Sequence, residues 1–231
     1  MSGKDWRNNF KDIRVCFHLG GIEDFRSILE IQRSLNLSVE NDGTSAHILV
    51  LEHSDTYTTG IHTEHIDQRI PNPVKLERGG SITYHGPGQI VAYYIFNMKK
   101  LDTNILGIIE LAHESEIEYL KLNDVEAEQR LHKETGIWCN NKKIGSTGFS
   151  IRGSTTMHGT ALNVQTDLLK FDLINPCGYS PEIMTSLHEI TGKSYNMEKE
   201  KKILVDVIKE KIGNPESETL KISGQWSGTV P

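Results

Sequence analysis

The sequence has few cysteines and no long apolar run. Its 231 residues include three cysteines, Cys16, Cys139 and Cys177, and none of them belongs to a C-x-x-C pair. A small and odd number of cysteines argues against a disulfide framework and suits a reducing compartment. No apolar stretch approaches the roughly 20 residues that a membrane helix needs, and the polar beginning of the chain lacks the apolar core of a signal peptide. These absences predict a cytoplasmic protein without a membrane partner.

The chain also lacks an excess of positive charge. Its formal net charge is -6, so a broad basic surface for nucleic acid is not expected. Small basic groups in residues 99–100 and 142–143 and at Arg152 leave a local basic patch open. Neither a Pro/Gly/Ser-rich stretch nor a block of charge divides the sequence, which favours a single domain over residues 1–231.

Strand-like and helix-like apolar patterns are mixed along the chain. Continuous or alternating apolar runs predict strands, whereas apolar residues repeated every three or four positions predict helices. In order, the predicted elements are strand 13–19, helix 23–37, strand 47–51, strand 90–96, helix 103–121, strands 136–139, 143–151 and 156–164, and helix 197–212. Gly20 and Gly21 are expected to end the first strand, and the polar stretch 53–75 is expected to be a loop. Because the order is not a strict βαβ alternation, it favours an α+β fold with a mixed β-sheet and flanking helices.

A glycine-rich segment at residues 78–89, R-G-G-S-I-T-Y-H-G-P-G-Q, is the first candidate for chemistry. Its four glycines allow positive φ angles and a close approach of the backbone to a ligand. Arg78, Thr83, His85 and Gln89 supply polar groups for a cleft, although a tight turn between two strands explains the glycines equally well. The segment is not a P-loop, because no Gly-Lys-Ser/Thr closes it, and it lacks the G-x-G-x-x-G spacing of dinucleotide sites.

Three further segments each contain one side chain that could react. Lys143 precedes the turn 145–148, but a lysine at the start of a strand is ordinarily solvated. His158, beside Gly159, either faces a pocket or ends a strand. Cys177 lies in a Pro-Cys-Gly turn, which gives a thiol the exposure that reactivity needs, although a lone turn cysteine is usually incidental.

The other cysteines and a group of histidines are interpreted as structural. Cys16 and Cys139 lie within apolar runs and are expected in the core. His53, His62 and His65 lie in the polar stretch and lack both a helical H-E-x-x-H and a matching set of cysteines. No metal site is therefore expected.

Taken together, these segments resemble the lipoyl(octanoyl) transferase family. Four family motifs match in order: R-G-G-x-x-T-Y-H-G-P-G-Q at 78–89, the lysine segment at 142–148, H-G-x-A-L-N-V at 158–164 and I-N-P-C-G-Y at 174–179. The stretch 51–60 is also similar, which makes His53 a family feature rather than a metal ligand. The resemblance covers about residues 13–190, whereas the C-terminal helix and tail at 191–231 match nothing. Gly145 stands where the family has alanine, serine or cysteine, a small change that should be tolerated.

The resemblance implies both a fold and a reaction. The expected fold is that of the catalytic domain of biotin and lipoate protein ligases. The expected reaction transfers an octanoyl, or medium-chain acyl, group from acyl carrier protein to a lysine of a lipoyl domain. That domain belongs to an E2 subunit of a 2-oxoacid dehydrogenase or to the glycine cleavage H protein. Cys177 would carry the acyl group as a thioester, and Lys143 would lower the pKa of that thiol and relay protons. No cofactor is implied, because the acyl group arrives already activated.

The family also implies which residues hold the acyl group. They are Arg78, Gly79, Gly80, Ser81, Ile82, Thr83, Tyr84, His85, Ser146, Thr147, Gly148, Gly159, Thr160 and Ala161. Backbone N–H groups in such glycine-rich segments are suitable donors to an oxyanion. Because acyl carrier proteins are acidic, a positive rim is expected around the site. Its residues would be Lys99, Lys100, Lys142, Lys143 and Arg152.

Two alternatives remain open at the level of sequence. An ATP-dependent lipoate or biotin protein ligase has the same expected fold and also lacks a P-loop, but it needs no thiol at Cys177. A non-catalytic protein that binds acylated carrier or lipoyl domains would need neither Lys143 nor Cys177. The presence of both residues favours the transferase.

Overall fold

A mixed β-sheet forms the centre of the molecule in the computed structural model, which describes residues 5–174, 183–214 and 217–222. The strands are β1 (Arg14–Glu23), β2 (Ser45–His53), β3 (Thr56–Thr59), β4 (Val74–Lys75), β5 (Thr83–His85), β6 (Gln89–Ile95), β7 (Glu128–Arg130), β8 (Gly136–Cys139), β9 (Lys142–Arg152), β10 (Thr155–Asn163) and β11 (Thr219–Lys221). Within the described residues, eight strands form one sheet in the order β11-β1-β2-β6-β10-β9-β8-β7, and a small sheet has the order β4-β3-β5.

The large sheet combines two kinds of pairing. β1 runs parallel to β2 and to β11, whereas β6 pairs antiparallel with both β2 and β10. β9 pairs antiparallel with β10 and β8, and β8 does so with β7. Helices accompany the strands without a repeated βαβ order. The α+β prediction with a mixed sheet is therefore confirmed.

Helices cover both faces of this sheet. They are α1 (Phe25–Asp42), α2 (Ile105–Lys121), α3 (Leu187–Thr191) and α4 (Met197–Lys211), and short 3-10 helices span Trp6–Asp12, His132–Glu134 and Leu168–Leu173. α2 and α4 pack on one face, where Leu111 and Leu204 join Ile48 in a buried cluster, and α1 packs on the other, where Leu35 joins Val91. Because both faces are covered, β2 and β6 are buried along their whole length, which explains their continuous apolar runs. No helix in the described ranges is both long and apolar enough to cross a bilayer.

The ends of α1 are set by two capping contacts. Asp24 precedes the helix, and its carboxylate accepts a hydrogen bond from the Ser27 N–H at 2.8 Å. Gly43 follows the helix with a φ of 60°, and its N–H donates to the Val39 carbonyl oxygen at 3.0 Å. The helix therefore continues to Asp42, beyond the predicted end at residue 37, because the glycine cap stops it there.

Two local predictions differ from the structure. The first strand does not end at Gly20 and Gly21, since β1 continues through a register shift between Leu19 and Ile22. A Cβ atom at Gly20 would lie 2.9 Å from the Leu51 Cβ, so glycine is used there for a close strand contact rather than for a turn. The expected loop at 53–75 contains β3 and β4, which form most of the small sheet.

Candidate active site

The loop after β3 holds the signature segment in place through backbone hydrogen bonds. The N–H groups of Gly60 and Ile61 donate to the carbonyl oxygens of Ser81 and Arg78, each at 3.1 Å. A Cβ atom at Gly60 would collide with the Gly80 carbonyl oxygen, so this loop and the signature segment approach this closely only because Gly60 has no side chain. Gly80 has a φ of 83°, a conformation that favours glycine. Backbone packing therefore requires part of the glycine pattern.

Arg78 is buried at the start of the signature segment. Its Nη2 group donates to the carbonyl oxygen of Thr58 at 3.1 Å and to the hydroxyl of the same residue at 2.9 Å. Its Nη1 group donates to the Gly79 carbonyl oxygen at 3.0 Å. These contacts fix the guanidinium, and with it a positive charge, between β3 and the signature segment.

A cavity of about 570 Å³, part of it open to solvent, lies between the signature segment, β9 and β10. Twelve of the fourteen residues predicted to hold the acyl group line it: Arg78, Gly80, Ser81, Ile82, Thr83, His85, Ser146, Thr147, Gly148, Gly159, Thr160 and Ala161. Gly79 and Tyr84 are not part of its wall. The fold thus brings three segments that are distant in the sequence to one concave site.

Gly79 and Tyr84 contact the surroundings of the cavity instead. The Gly79 N–H donates to the Phe149 carbonyl oxygen at 3.0 Å, which joins the signature segment to β9. The Tyr84 hydroxyl donates to the Asp55 carboxylate at 2.7 Å, and its ring lies 5.6 Å from that of Phe171. Both residues therefore support the signature segment from outside the cavity.

A pair of glycines forms part of the cavity wall. Gly148 and Gly159 face each other across β9 and β10. A Cβ atom at Gly159 would collide with the Ala92 carbonyl oxygen, and one at Gly148 would lie 3.1 Å from the Arg78 Cδ. Because neither glycine has a side chain, β6 can approach Gly159 and the Arg78 side chain can approach Gly148.

Five wall residues are not among those predicted to hold the acyl group: Phe25, Leu76, Val91, Tyr93 and His158. His158, for which the sequence left a pocket and a strand end open, lies in the wall. Alternation along β6 places Val91 and Tyr93 on one face, which is a signal the sequence contains. Phe25 begins α1 and Leu76 follows β4, and no local pattern distinguishes them, because only the tertiary fold brings these two residues to the cavity.

The histidines at the cavity are uncharged at neutral pH. Burial lowers the pKa of His85 and of His158 to about 3, and that of His53 to about 4. His53 Nε2 lies 2.7 Å from the Tyr93 hydroxyl, so this imidazole is fixed by a buried hydrogen bond. In the part of the chain that the structure describes, no three or more His, Cys, Asp or Glu side chains are grouped so as to hold a metal.

Lys143 is buried rather than solvated, with 2% of its surface exposed. Its Nζ donates to the Thr135 carbonyl oxygen at 2.8 Å and lies 5.7 Å from the centre of the Trp138 ring. Gly136 in the neighbouring strand leaves room for the buried chain of Lys143, because a Cβ atom at Gly136 would lie 2.7 Å from the Lys143 Cε. The expectation of a solvated strand-end lysine is therefore wrong, and the reason is a neighbouring strand that leaves room for its aliphatic chain.

Cys177, the predicted nucleophile, lies outside the described residues. The described chain before and after it packs into one apolar cluster, to which Ile174 and Met184 both belong. Met184 forms a parallel bridge with Lys143, and the Thr185 N–H donates to the Lys143 carbonyl oxygen at 3.0 Å. Met184 and Thr185 therefore lie beside the strand that contains Lys143.

The other two cysteines lie in the core, as the sequence predicts. Cys16 and Cys139 are both buried and form no disulfide. Burial raises the pKa of both thiols, that of Cys139 to about 11. Neither thiol is suited to act as a nucleophile at neutral pH.

Two of the basic residues expected to form one rim lie at opposite ends of β9. Lys142 begins this strand and Arg152 ends it, so the two are separated by about 30 Å at strand spacing. Arg152 also lies 3.6 Å from the Glu77 carboxylate, which offsets its charge. Of these two, only Lys142 adjoins Lys143.

Known proteins resemble the chain in sequence and in fold. A family model described as the lipoyl protein ligase A/B catalytic domain matches residues 24–209. The chain belongs to the lipoyl protein ligase A/B catalytic domain family. The "Probable octanoyltransferase 2" of Picrophilus torridus is 38% identical over 90% of this chain and 84% of its own length. The "Octanoyltransferase" of Thermoanaerobacter sp. (strain X514) is 36% identical over 84% of this chain and 88% of its own length. The resemblance drawn from the motifs is confirmed, and the chain is an acyltransferase.

Solved structures of lipoate protein ligases share the fold. A lipoate-protein ligase A bound with ATP has a TM-score of 0.71 at 14% identity, over 92% of this chain and 90% of the other. A bi-partite lipoate protein ligase of Thermoplasma acidophilum, analysed with its E2 lipoyl domain, has a TM-score of 0.66 at 12% identity, over 92% and 88%. At such low identity these likenesses show the fold alone. The expected lipoate ligase catalytic fold is therefore confirmed.

Proposed function

We propose that this acyltransferase transfers an octanoyl group from acyl carrier protein to a lysine of a lipoyl domain through a thioester on Cys177. The observation that carries the proposal is the cavity, whose wall contains residues of three transferase motifs. Lys143 is not part of that wall but lies on β9, the strand that contributes residues 146–148 to it. The sequence relatives named octanoyltransferases support the choice of acyl group. The motif I-N-P-C-G-Y supports the choice of nucleophile.

The composition of the cavity wall suits a hydrocarbon chain. Phe25, Leu76 and Val91 supply apolar surface, and the imidazoles of His85 and His158 are neutral at pH 7. At about 0.8 kcal/mol per buried methylene, the tail of an octanoyl group contributes about 5 kcal/mol to binding.

In the first half-reaction, the Cys177 thiolate attacks the carbonyl carbon of the carrier thioester. A carbon–sulfur bond to Cys177 forms, the bond to the carrier sulfur breaks, and the carrier thiolate takes up a proton from the Lys143 ammonium, which leaves Lys143 neutral. A free thiol with a pKa near 8.5 is only a few per cent ionised at about pH 7. The Lys143 ammonium at about 4 Å would contribute up to ~4 kcal/mol at an effective dielectric of 20. A third of that amount lowers the pKa of the thiol by about one unit and makes a large fraction of it reactive.

In the second half-reaction, the lysine amine of the lipoyl domain attacks the Cys177 thioester. A carbon–nitrogen bond forms, the carbon–sulfur bond to Cys177 breaks, and the attacking amine loses a proton. Neutral Lys143 takes that proton and can return one to the leaving thiolate of Cys177. Backbone N–H groups of the glycine-rich wall serve as donors to the oxyanion in both halves. The products are a thiol and an amide, so no ATP is consumed.

The proposed acceptor is a lipoyl domain of an E2 subunit or the glycine cleavage H protein. The structurally similar ligase of Thermoplasma acidophilum is paired with an E2 lipoyl domain, which supports an acceptor of this class. The scarcity of cysteines agrees with a reducing, cytoplasmic setting, in which Cys177 stays a free thiol.

One alternative in the same fold is an ATP-dependent lipoate ligase. The observation that favours it is the likeness to a lipoate-protein ligase A bound with ATP. A ligase of that kind activates a free acid, whereas the transferase uses a thioester. Dependence on ATP therefore separates the two functions.

The test is transfer to a purified lipoyl domain, followed by intact mass. Octanoyl carrier protein without ATP should increase the mass of the domain by one octanoyl group, and replacement of its target lysine by arginine should prevent this. Octanoic acid with ATP should give no product. Transfer only from the free acid with ATP would replace the transferase by the ligase, and no transfer under either condition would end both assignments.

A further inference from the structure

Asn163 ends β10 and connects two parts of the site through its buried amide. Its Oδ1 accepts a hydrogen bond from Gln89 Nε2 at 2.9 Å, and its Nδ2 donates to the Thr185 carbonyl oxygen at 3.0 Å. Asn163 is 1% exposed, and the other two residues are also buried. Because an unpaired amide at this depth is costly, these contacts fix the side chain in one orientation.

The direction of this hydrogen-bond chain is set at one end. A backbone carbonyl oxygen only accepts, so Asn163 must present its NH₂ group to Thr185 and its oxygen to Gln89. Gln89 must then present its NH₂ group to Asn163 and its oxygen to His85 Nδ1, which lies 2.8 Å away. The proton of the neutral His85 imidazole is therefore on Nδ1, and Nε2 is its acceptor nitrogen.

The other end of the chain reaches the strand that contains Lys143. Thr185 accepts from Asn163 through its carbonyl oxygen, and its own N–H donates to the Lys143 carbonyl oxygen at 3.0 Å. The buried amide of Asn163 thus lies between His85, a residue of the cavity wall, and the backbone of Lys143, the proposed proton relay. The two are joined by four hydrogen bonds in series, and each link is buried.

We infer that Asn163 is a positioning residue, whose amide fixes the placement of Thr185 beside Lys143. The inference rests on the proposed function, because it assigns a role within the octanoyl transfer. Loss of the donor at Asn163 leaves the Thr185 carbonyl unpaired beside Lys143. The acceptor side of the chain is held independently, because Gln89 Nε2 also donates to the Tyr84 carbonyl oxygen at 3.3 Å. Since a displacement of about 1 Å in a catalytic arrangement costs about 100-fold, we expect a decrease in rate rather than in substrate binding.

The test compares two buried asparagines, Asn163 at the end of β10 and Asn36 on α1, whose side chains each donate to a backbone carbonyl. Asn163→Asp keeps the shape of the side chain but, when ionised, presents an acceptor to the Thr185 carbonyl. Asn36 is the control, because it is also buried and donates to the carbonyl oxygens of Thr155 and Thr156 at the other end of β10. At about pH 8 we expect Asn163→Asp to lower kcat about 10–100-fold with KM for a small octanoyl thioester nearly unchanged. Asn36→Asp should lower thermal stability and leave kcat of the folded protein unchanged. Equal kcat values for the two variants would overturn the inference.

The pH dependence adds a readout that a merely structural role would not change. Burial should raise the pKa of the new carboxyl, so Asn163→Asp is protonated at about pH 5.5 and can again donate to Thr185. Its activity relative to the wild type, measured at the same pH, should therefore recover on acidification. The ratio removes the pH effects that the two proteins share. A ratio that stays constant with pH would contradict the inference.

Nitrogen-15 NMR of the wild-type imidazoles tests the direction of the chain without any variant. The expected result is a neutral His85 with its proton on Nδ1, and a proton on Nε2 would overturn the inference even if Asn163→Asp failed to fold. Failure of the proposed function is distinguishable, because then the wild type itself would form no thioester. In that case the NMR result still decides the hydrogen-bond direction.

Discussion

Glu116 is a buried carboxyl group that the proposed reaction does not use. It lies on α2 with 1% of its surface exposed, and its two carboxyl oxygens have no hydrogen-bond partner among the described residues. Burial raises the pKa of this group from 4.5 to about 8, although the nearby Thr160 hydroxyl lowers it slightly. Glu116 is therefore protonated in the folded protein at neutral pH and ionised in the unfolded chain. We expect Glu116→Gln to stabilise the protein, because the amide is neutral in both states.

The sign and size of this effect follow from proton linkage. Below pH 4.5 the carboxyl group is protonated in both states, so it causes no pH dependence there. As the pH rises towards 8, only the unfolded chain loses the proton, and the free energy of unfolding falls by about 1.4 kcal/mol per pH unit. Between about pH 5 and about pH 7.5 the loss amounts to about 3 kcal/mol, and it levels off above the folded-state pKa. Glu116→Gln should remove this loss.

Thermal unfolding of the wild type and Glu116→Gln at about pH 5 and about pH 7.5 measures this linkage. For a chain of this size about 3 kcal/mol corresponds to about 6–12 °C, so the difference in Tm between the two proteins should grow by that amount at the higher pH. Glu110→Gln is the control, because it removes the same formal charge from an exposed position on the same helix. Parallel pH dependences of the wild type and Glu116→Gln would refute the reasoning.

Lys143 and its surroundings give three further tests. Lys143→Arg keeps the charge but cannot deprotonate near neutrality, so it should retain part of Cys177 acylation and lose amine transfer. Lys143→Ala should lose both half-reactions. If single-turnover rates of the two half-reactions fall equally in both variants, separate roles of Lys143 are contradicted. Charge reversal at the exposed Lys142 should raise KM for the carrier protein and leave turnover of a small thioester unchanged. The same change at Arg152, at the far end of β9, serves as the control. Equal KM values for the two variants would contradict docking of the carrier protein beside Lys143. Gly136→Ala should lower the free energy of unfolding by about 1–3 kcal/mol and impair transfer, since its Cβ would collide with the Gly145 carbonyl oxygen and lie 2.7 Å from the Lys143 Cε. Denaturant melts and initial rates equal to those of the wild type would contradict this packing.

Most helices and strands could be predicted from the sequence, because local apolar periodicity reports directly on which faces are buried. The predicted helix at 197–212 corresponds to α4 (Met197–Lys211), and the predicted strand at 136–139 is β8. The order of strands in the sheet could not be derived in this way. It depends on pairings such as β6 with β10, which join segments far apart in the chain.

The cavity could be predicted only where the motifs are contiguous. The signature segment contributes six of its twelve residues, but Phe25 and Leu76 are brought to the wall by the packing of α1 and the small sheet. The burial of Lys143 depends on Gly136 in the neighbouring strand, which no pattern around residue 143 reveals. Local sequence patterns are also insufficient to predict the effect of a substitution at Gly145. An alanine Cβ there would lie 3.0 Å from the Ile137 Cβ and 3.1 Å from Glu116 Oε2, so the expected tolerance at this position depends on buried neighbours.

Intact mass after mixing with octanoyl carrier protein shows whether a thioester forms on Cys177. We expect the wild type, Cys16→Ser and Cys139→Ser each to gain one octanoyl group, which hydroxylamine removes, whereas Cys177→Ser gains none that hydroxylamine removes and remains folded. Full transfer to a lipoyl domain by Cys177→Ser, or a labile adduct on another cysteine of the wild type, would contradict a Cys177 thioester.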